Sequence, residues 1–182
     1  LVGVPDAVHE QAAAAQAFPG KPVEPAKAWK EMVHRYFAGS LGLLILAICA
    51  LSWRRSLRAY RSPALPTGLL AIVSFQALLG MWTVTLLLKP VVVTAHLLGG
   101  MTTLALLVAL VLGEQRRASP TVPAGIKPLA LLTLLAVIGQ IALGGWVSSN
   151  YAALACPDFP TCHGVWWPEG DFANAFTLHR EL

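Results

Sequence analysis

Residues 91–112 read VVVTAHLLGGMTTLALLVALVL, a continuous apolar stretch in which His96 is the one ionisable side chain. A helix needs about 20 such residues to cross the roughly 30 Å hydrocarbon core of a bilayer. Residues 36–53, 65–88 and 128–147 form three further stretches of suitable length. Apolar residues make up 56% of the 182-residue chain, and the mean hydropathy is +0.63. The sequence therefore predicts an all-α integral membrane protein, built as an antiparallel bundle of transmembrane helices.

Basic residues beside the apolar stretches predict the orientation in the membrane. Four arginines fall within residues 54–61, and three basic residues fall within 116–127. Such clusters in short loops mark the cytoplasmic side, so residues 1–33, 89–90 and 148–174 are expected outside. The net charge of +4 is spread over membrane-flanking positions, which argues against nucleic acid as a partner.

The two ends of the chain are typical of a fragment. No signal peptide is visible at the start, and a fifth apolar stretch begins near Ala175, shortly before the chain ends at Leu182. Residues 1–28 contain many Ala, Pro and Gly residues, which predicts an irregular or partly helical extracytoplasmic loop.

Three histidines lie in or beside apolar stretches near the predicted outer side: His34, His96 and His179. Ionisable groups are costly in hydrocarbon, so several at one depth indicate a shared buried site. Imidazoles on antiparallel helices are suitable haem ligands. Glu31 precedes His34 by three residues and shares its helix face, so it is a candidate for proton handling. The alternative is an interfacial pair that solvates a helix end.

Residues next to these histidines suggest how a haem would fit. Gly99 and Gly100 follow His96 and would leave room for a flat macrocycle, although ordinary helix packing uses the same spacing. Arg35 and Arg180 each directly follow a histidine. Both are expected to pair with haem propionates, because guanidinium binds carboxylates bidentately; the alternative is a role as interface anchors.

An internal repeat pairs Gln76-Ala-Leu-Leu-Gly80 with Gln140-Ile-Ala-Leu-Gly144, and a tryptophan follows two residues after each glycine. Such a repeat favours duplicated helical halves, with chance similarity in apolar sequence as the alternative. The two glutamines are expected to hydrogen-bond between helices or to line a cavity, because an unpaired amide is costly in the membrane.

The three cysteines divide into two kinds. Cys49 lies in the middle of a spanning stretch and is most simply a small apolar filler. Cys156 and Cys162 lie in the outer loop, where an oxidising compartment permits a disulfide, and free thiols are the alternative. His163 in the same loop is expected at the surface.

Taken in order, these motifs resemble the haem A synthase family of cytochrome oxidase assembly proteins. The resemblance covers residues 29–182 and is carried by Glu31-x-x-His34-Arg35, Gln76-x-x-x-Gly80, Thr94-Ala95-His96-Leu97, the stretch from Gln140 to Cys162, and Leu178-His179-Arg180. It implies eight spanning helices in two similar four-helix halves. Residues 29–117 would be the end of the first half, with three transmembrane helices, and residues 127–182 the start of the second.

The resemblance also implies roles for the candidate residues. His34 and His96 would bind the substrate haem O, with Glu31 beside it as the acid, base or cation stabiliser. His179 would be one ligand of a b-type haem whose second ligand lies beyond Leu182. The reaction would oxidise a ring methyl of haem O to a formyl group, through successive hydroxylations and loss of water from a geminal diol. A cysteine pair in the outer loop also occurs in family members.

Partners and location follow from the same resemblance. Haem O, haem O synthase as its supplier, membrane lipid and an electron donor of unknown identity are the expected partners, and a homo-oligomer is compatible with the sequence. The bacterial plasma membrane is the expected location, with the mitochondrial inner membrane as the alternative. Two rival functions use the same histidines: a di-haem b-type electron-transfer cytochrome, and a haem carrier that releases haem O unaltered.

Overall fold

The structure, a computed structural model, describes residues 7–17, 24–54, 62–86, 88–114, 123, 125–170 and 175–176. These residues form five α-helices and a short 3-10 helix at Ala152–Ala155, and the described part of the chain contains no β-strand. The predicted all-α class is therefore confirmed. The α-helices are α1 (Val8–Ala17), α2 (Pro25–Trp53), α3 (Ala64–Thr85), α4 (Pro90–Glu114) and α5 (Ile126–Ser149).

Four of these helices, α2 to α5, are long and apolar enough to cross a membrane. Their positions confirm the four predicted spanning stretches and make the chain a multi-pass membrane protein. The expected fifth span near Ala175 falls almost entirely outside the described residues. Proline, which lacks the amide hydrogen that a first turn leaves unpaired, begins α2 at Pro25 and α4 at Pro90.

Helix α2 extends well beyond the predicted apolar stretch of residues 36–53, because it begins at Pro25. Its 29 residues make it roughly 43 Å long at about 1.5 Å per residue, longer than the hydrocarbon core. The charged first turns therefore extend beyond the apolar part. His34 lies nine residues after Pro25, about two and a half turns into the helix.

The chain divides into two compact units, residues 1–59 and residues 60–182. The first contains α1 and α2. In the second, α4 packs against both α3 and α5, and the segment after α5 packs against its outer end. The assignment of residues 29–117 and 127–182 to two helical halves stays a prediction.

Candidate functional site

The imidazole of His96 is partly buried against α3. A β-carbon built on Gly80 would lie 3.2 Å from Cε1 of His96 and 3.7 Å from Nε2. Nδ1 of the same ring is buried. Because ordinary contacts between carbon atoms are about 3.5–4.0 Å, a β-carbon at this position would make a tight contact and would push the ring away by a few tenths of an ångström.

A second contact of the same kind lies one turn away, with the partners reversed. The carboxamide of Gln76 on α3 occupies the space where Gly99 of α4 would carry a side chain, and its Cδ would lie 2.7 Å from a β-carbon there. The two contacts pair His96 with Gly80 and Gly99 with Gln76. Together they fix the antiparallel register of α3 on α4.

This packing changes two expectations about α4. Gly99 does not leave room for a macrocycle, because the Gln76 side chain fills that space. At Gly100, by contrast, no other helix in the described part of the chain comes within 4 Å of the β-carbon position. The expectation that the Gln76 side-chain oxygen accepts an interhelical hydrogen bond is also wrong. Oε1 is buried and has no hydrogen-bond partner within the described residues.

Helix α5 packs on the opposite side of α4 through Gly145. A β-carbon at Gly145 would lie 3.1 Å from Cδ2 of Leu97 and 3.3 Å from Oγ1 of Thr94. The internal repeat in the sequence contains Gln140 and Gly144 instead. Gln140 is exposed, and within the described ranges no other helix comes within 4 Å of a β-carbon at Gly144. The glycine that packs against α4 is therefore Gly145, next to the glycine of the repeat.

In the first unit, Glu31, His34 and Arg35 lie on one face of α2. Nη2 of Arg35 donates to Oε1 of Glu31 over 2.5 Å, and both side chains are about half exposed. His34 is also exposed. The ion pair was not anticipated, although the i, i+4 spacing of an acid and a base on a helix favours it. Arg35 thus has the Glu31 carboxylate as a partner, and its pairing with a propionate and the role of Glu31 in proton handling stay predictions.

His34 and His96 belong to different compact units, and each is described within its own unit. His179 and Arg180 lie outside the described residues. Within the described ranges, no group of three or more His, Cys, Asp or Glu side chains is arranged to hold a metal ion. The expectations for His34, His96, His179 and Arg180 therefore stay predictions.

The outer loop is closed by the Cys156–Cys162 disulfide, whose Cα atoms are 4.8 Å apart. This confirms the disulfide over the free thiols. Cys49 is buried in α2, as expected for an apolar filler. His163 is exposed, as expected, and its Nε2 lies 2.9 Å from the carbonyl oxygen of Ala155.

Asp158 organises the inside of this disulfide loop. Its Oδ1 accepts a hydrogen bond from the amide of His163 at 2.7 Å, and its Oδ2 accepts from the amide of Gly164 at 2.9 Å. Oδ2 also accepts from the hydroxyl of Thr161. These donors, the Thr161 hydroxyl foremost, stabilise the carboxylate and lower the pKa of Asp158.

The loop returns to the helices through a tight turn and an aromatic contact. His163 and Gly164 both have positive φ, 53° and 75°, between Cys162 and Val165, which exchange two backbone hydrogen bonds. After the turn, Nε1 of Trp146 on α5 donates to the carbonyl oxygen of Ala175 at 3.0 Å. The Trp146 ring also lies 6.0 Å from that of Phe176, centroid to centroid. The end of the loop is thereby attached to the outer end of α5.

Comparison with known proteins places these features in a family. Residues 2–182 match the family model described as cytochrome oxidase assembly protein. The chain is 47% identical over 180 residues to the haem A synthase of Shewanella oneidensis, covering 97% of this chain and 53% of the relative. It is 31% identical over 143 residues to the haem A synthase of Bacillus cereus strain AH187, covering 72% of this chain and 44% of the relative.

A third relative, the haem A synthase of Shouchella clausii, is 27% identical over 147 residues, which cover 76% of this chain and 48% of the relative. The chain thus spans about half the length of the curated relatives it matches. No solved structure matches it. Because the family match extends over almost every residue, the chain belongs to the cytochrome oxidase assembly protein family.

Proposed function

We propose that this chain is part of a haem A synthase, an oxidoreductase that converts the substrate haem O to haem A for cytochrome oxidase assembly. The observation that carries the proposal is the His96 imidazole against Gly80, on a membrane helix of a chain similar to haem A synthases. Around His96, the residues present fit a haem: imidazole is an ordinary ligand of haem iron, and no other helix of the described residues comes within 4 Å of the β-carbon position at Gly100.

In this proposal His34 and His96 are the ligands for haem O. Converting a ring methyl to a formyl group replaces two C–H bonds with one C=O bond, through two hydroxylations and the loss of one water. With dioxygen as the oxygen source, each hydroxylation leaves one oxygen atom in the product and reduces the other to water with two protons and two electrons, which come from the electron donor outside the chain. Glu31 shares a helix face with His34 and is the group proposed to take up a proton, and its ion pair with Arg35 holds Oε1 in place. Arg35 is proposed to pair with a propionate of this haem through the N–H groups that do not contact Glu31.

The second half of the proposed site would hold a b-type haem. His179 is the proposed ligand, with Arg180 proposed to pair with a propionate of that haem. His179 follows Phe176 by three residues, and Phe176 is held against Trp146 of α5. A b-type haem would supply one-electron transfer when bound. We further propose the bacterial inner membrane as the location, haem O synthase as a partner that supplies the substrate, and an unidentified electron donor.

The test is mass analysis of haems extracted from membranes that make haem O but no haem A, with the full-length parent of this chain expressed. Haem A, or a hydroxylated precursor, is the expected product. Recovery of unchanged haems B and O bound to the protein would overturn the proposal and favour the cytochrome or the carrier.

Substitution of Glu31 separates the synthase from a cytochrome that uses the same histidines. Glu31→Gln should abolish most product formation while bound haem is retained. Glu24→Gln is the matched control, because Glu24 forms a similar exposed ion pair with Lys27 near the start of the same helix. Equal product from both variants and the parent would remove Glu31 from the reaction.

A further inference from the structure

The contact between His96 and Gly80 bears on the direction in which the imidazole points. An imidazole on a helix can rotate about two side-chain bonds, and an iron ligand must hold its donor nitrogen within about 0.5 Å of the productive position. Cε1 is bonded to both ring nitrogens, and it is the His96 atom closest to a β-carbon built at Gly80, at 3.2 Å. A β-carbon at Gly80 that displaced Cε1 would therefore also move both ring nitrogens.

The Gln76 carboxamide determines which residue of α3 meets the ring. It fills the space over Gly99, one turn along α4 from His96, and Gly80 lies one turn along α3 from Gln76. Sliding α3 along α4 would bring the carboxamide against a residue with a β-carbon. In the register that contains the Gln76–Gly99 contact, Gly80 lies opposite His96.

We infer that Gly80 and Gln76 are positioning residues for His96: Gly80 sets the orientation of the imidazole, and Gln76 sets the helix register that puts Gly80 there. The part of this inference that concerns iron ligation rests on the proposed function. The part that concerns packing stands on the two glycine contacts alone.

The first experiment compares Gly80→Ala with two controls in the full-length protein. Gly68→Ala lies on α3 and Gly113→Ala on α4, and no atom lies within 4 Å of the β-carbon position at either. We expect Gly80→Ala to change the electron paramagnetic resonance spectrum of the bound ferric haem and to lower haem A formation by roughly tenfold, since about 1 Å of misplacement can cost about a hundredfold. Both controls should match the parent.

A double-mutant cycle on thermal unfolding of the haem-free protein provides a readout that does not depend on activity. His96→Ala should suppress the destabilisation caused by Gly80→Ala, because removing the ring leaves room for the new methyl group. Likewise, Gln76→Ala should suppress the effect of Gly99→Ala. If the midpoint change in each double variant differs from the sum of the changes in its two single variants, the packing is supported. If the changes simply add, the packing is overturned.

The outcomes separate this inference from the proposed function. If the parent makes haem A but Gly80→Ala has the parental spectrum and yield, the positioning role is wrong and the proposed function stands. If the parent makes no haem A while both cycles are non-additive, the proposed function fails and the positioning of His96 stands. A control that changes the spectrum as much as Gly80→Ala would also overturn the inference.

Discussion

His96 on α4 and Gly80 on α3 form a close contact, in which a β-carbon added at Gly80 would lie 3.2 Å from Cε1 and would displace the imidazole by a few tenths of an ångström. The contact matters because the histidine is the ionisable residue of an otherwise apolar span. Its ring orientation is set by a neighbouring helix as well as by its own rotamer preference. Other glycines of the bundle can be tested by the same logic.

Gly145 on α5 should be intolerant of a methyl group, whereas its neighbour Gly144 should accept one. A β-carbon at Gly145 would lie 3.1 Å from Leu97 and 3.3 Å from Thr94, while Gly144 has open space. Overpacking of this kind costs about 1–3 kcal/mol. Gly145→Ala should therefore lower the thermal midpoint of the purified protein, and Gly144→Ala should leave it near the parental value. Equal midpoints for the two variants would contradict the packing of α5 on α4.

A large side chain at Gly100 should leave folding unaffected but should interfere with haem binding. No atom lies within 4 Å of its β-carbon position, and it follows His96 by four residues on α4. Gly100→Leu should leave the thermal midpoint of the haem-free protein nearly unchanged and should lower haem content per protein severalfold. Gly113→Leu, at the other end of the helix, is the control. Full haem content in Gly100→Leu would show that the macrocycle does not use this face.

Reduction of the Cys156–Cys162 disulfide should loosen the outer loop. By the loss of chain entropy in the unfolded state, a cross-link across such a short segment raises the free energy of unfolding by roughly 2 kcal/mol. We expect the Cys156→Ser/Cys162→Ser variant to be cleaved faster than the parent by a protease added to the outer face of membrane vesicles. Mass mapping should locate the cuts within residues 152–165. The reduced parent should behave like the double variant; unchanged cleavage would mean that Asp158 alone keeps the loop closed.

Asp158 should make the same loop sensitive to acid. Its pKa is lowered by hydrogen bonds from Thr161 and Gly164, so the folded loop favours the charged carboxylate. The resulting stabilisation is present above the unfolded value near 3.8 and is lost as the pH falls through the lowered pKa of the folded loop. After correction for intrinsic exchange, protection of the His163 and Gly164 amides should fall on acidification. In Asp158→Asn the protection should be weak and nearly independent of pH in this range.

Removing the Arg35 guanidinium should affect haem binding more than stability. The Glu31–Arg35 pair is about half exposed, and exposed pairs contribute about 0–1 kcal/mol. Arg35→Gln should therefore leave the thermal midpoint within a few degrees of the parent. If the guanidinium binds a haem propionate, the same variant should retain less haem during purification. Lys27→Gln, which breaks the nearby pair with Glu24, is the matched control. Equal retention in both variants would assign Arg35 to the ion pair alone.

Hydropathy was sufficient to predict which segments form the bundle. Each apolar stretch of about 20 residues must satisfy its own backbone hydrogen bonds in the membrane, and the helix is the local solution. The start of α2 was missed because its first turns are charged, although Pro25 is a sound signal for a helix start. The disulfide was predictable from two cysteines six positions apart in the outer loop.

The identity of the interhelical contacts could not be predicted in the same way. The sequence alone does not distinguish four glycines that all lie in apolar helices: Gly80, Gly99, Gly144 and Gly145. Which of them meets a side chain depends on the rotation and register of the neighbouring helix. The repeated motif indicated Gly80 and Gly144, and the structure packs Gly80 and Gly145.

Local composition and the cost of burying charge were enough to predict the membrane-spanning helices and to show that His96 lies in an apolar span. The packing of the helices places His96 against Gly80, Gln76 over Gly99 and Gly145 against Leu97, and none of these contacts was predictable from one segment alone. These contacts join residues distant in sequence, and they follow from close packing between helices, which no single segment specifies.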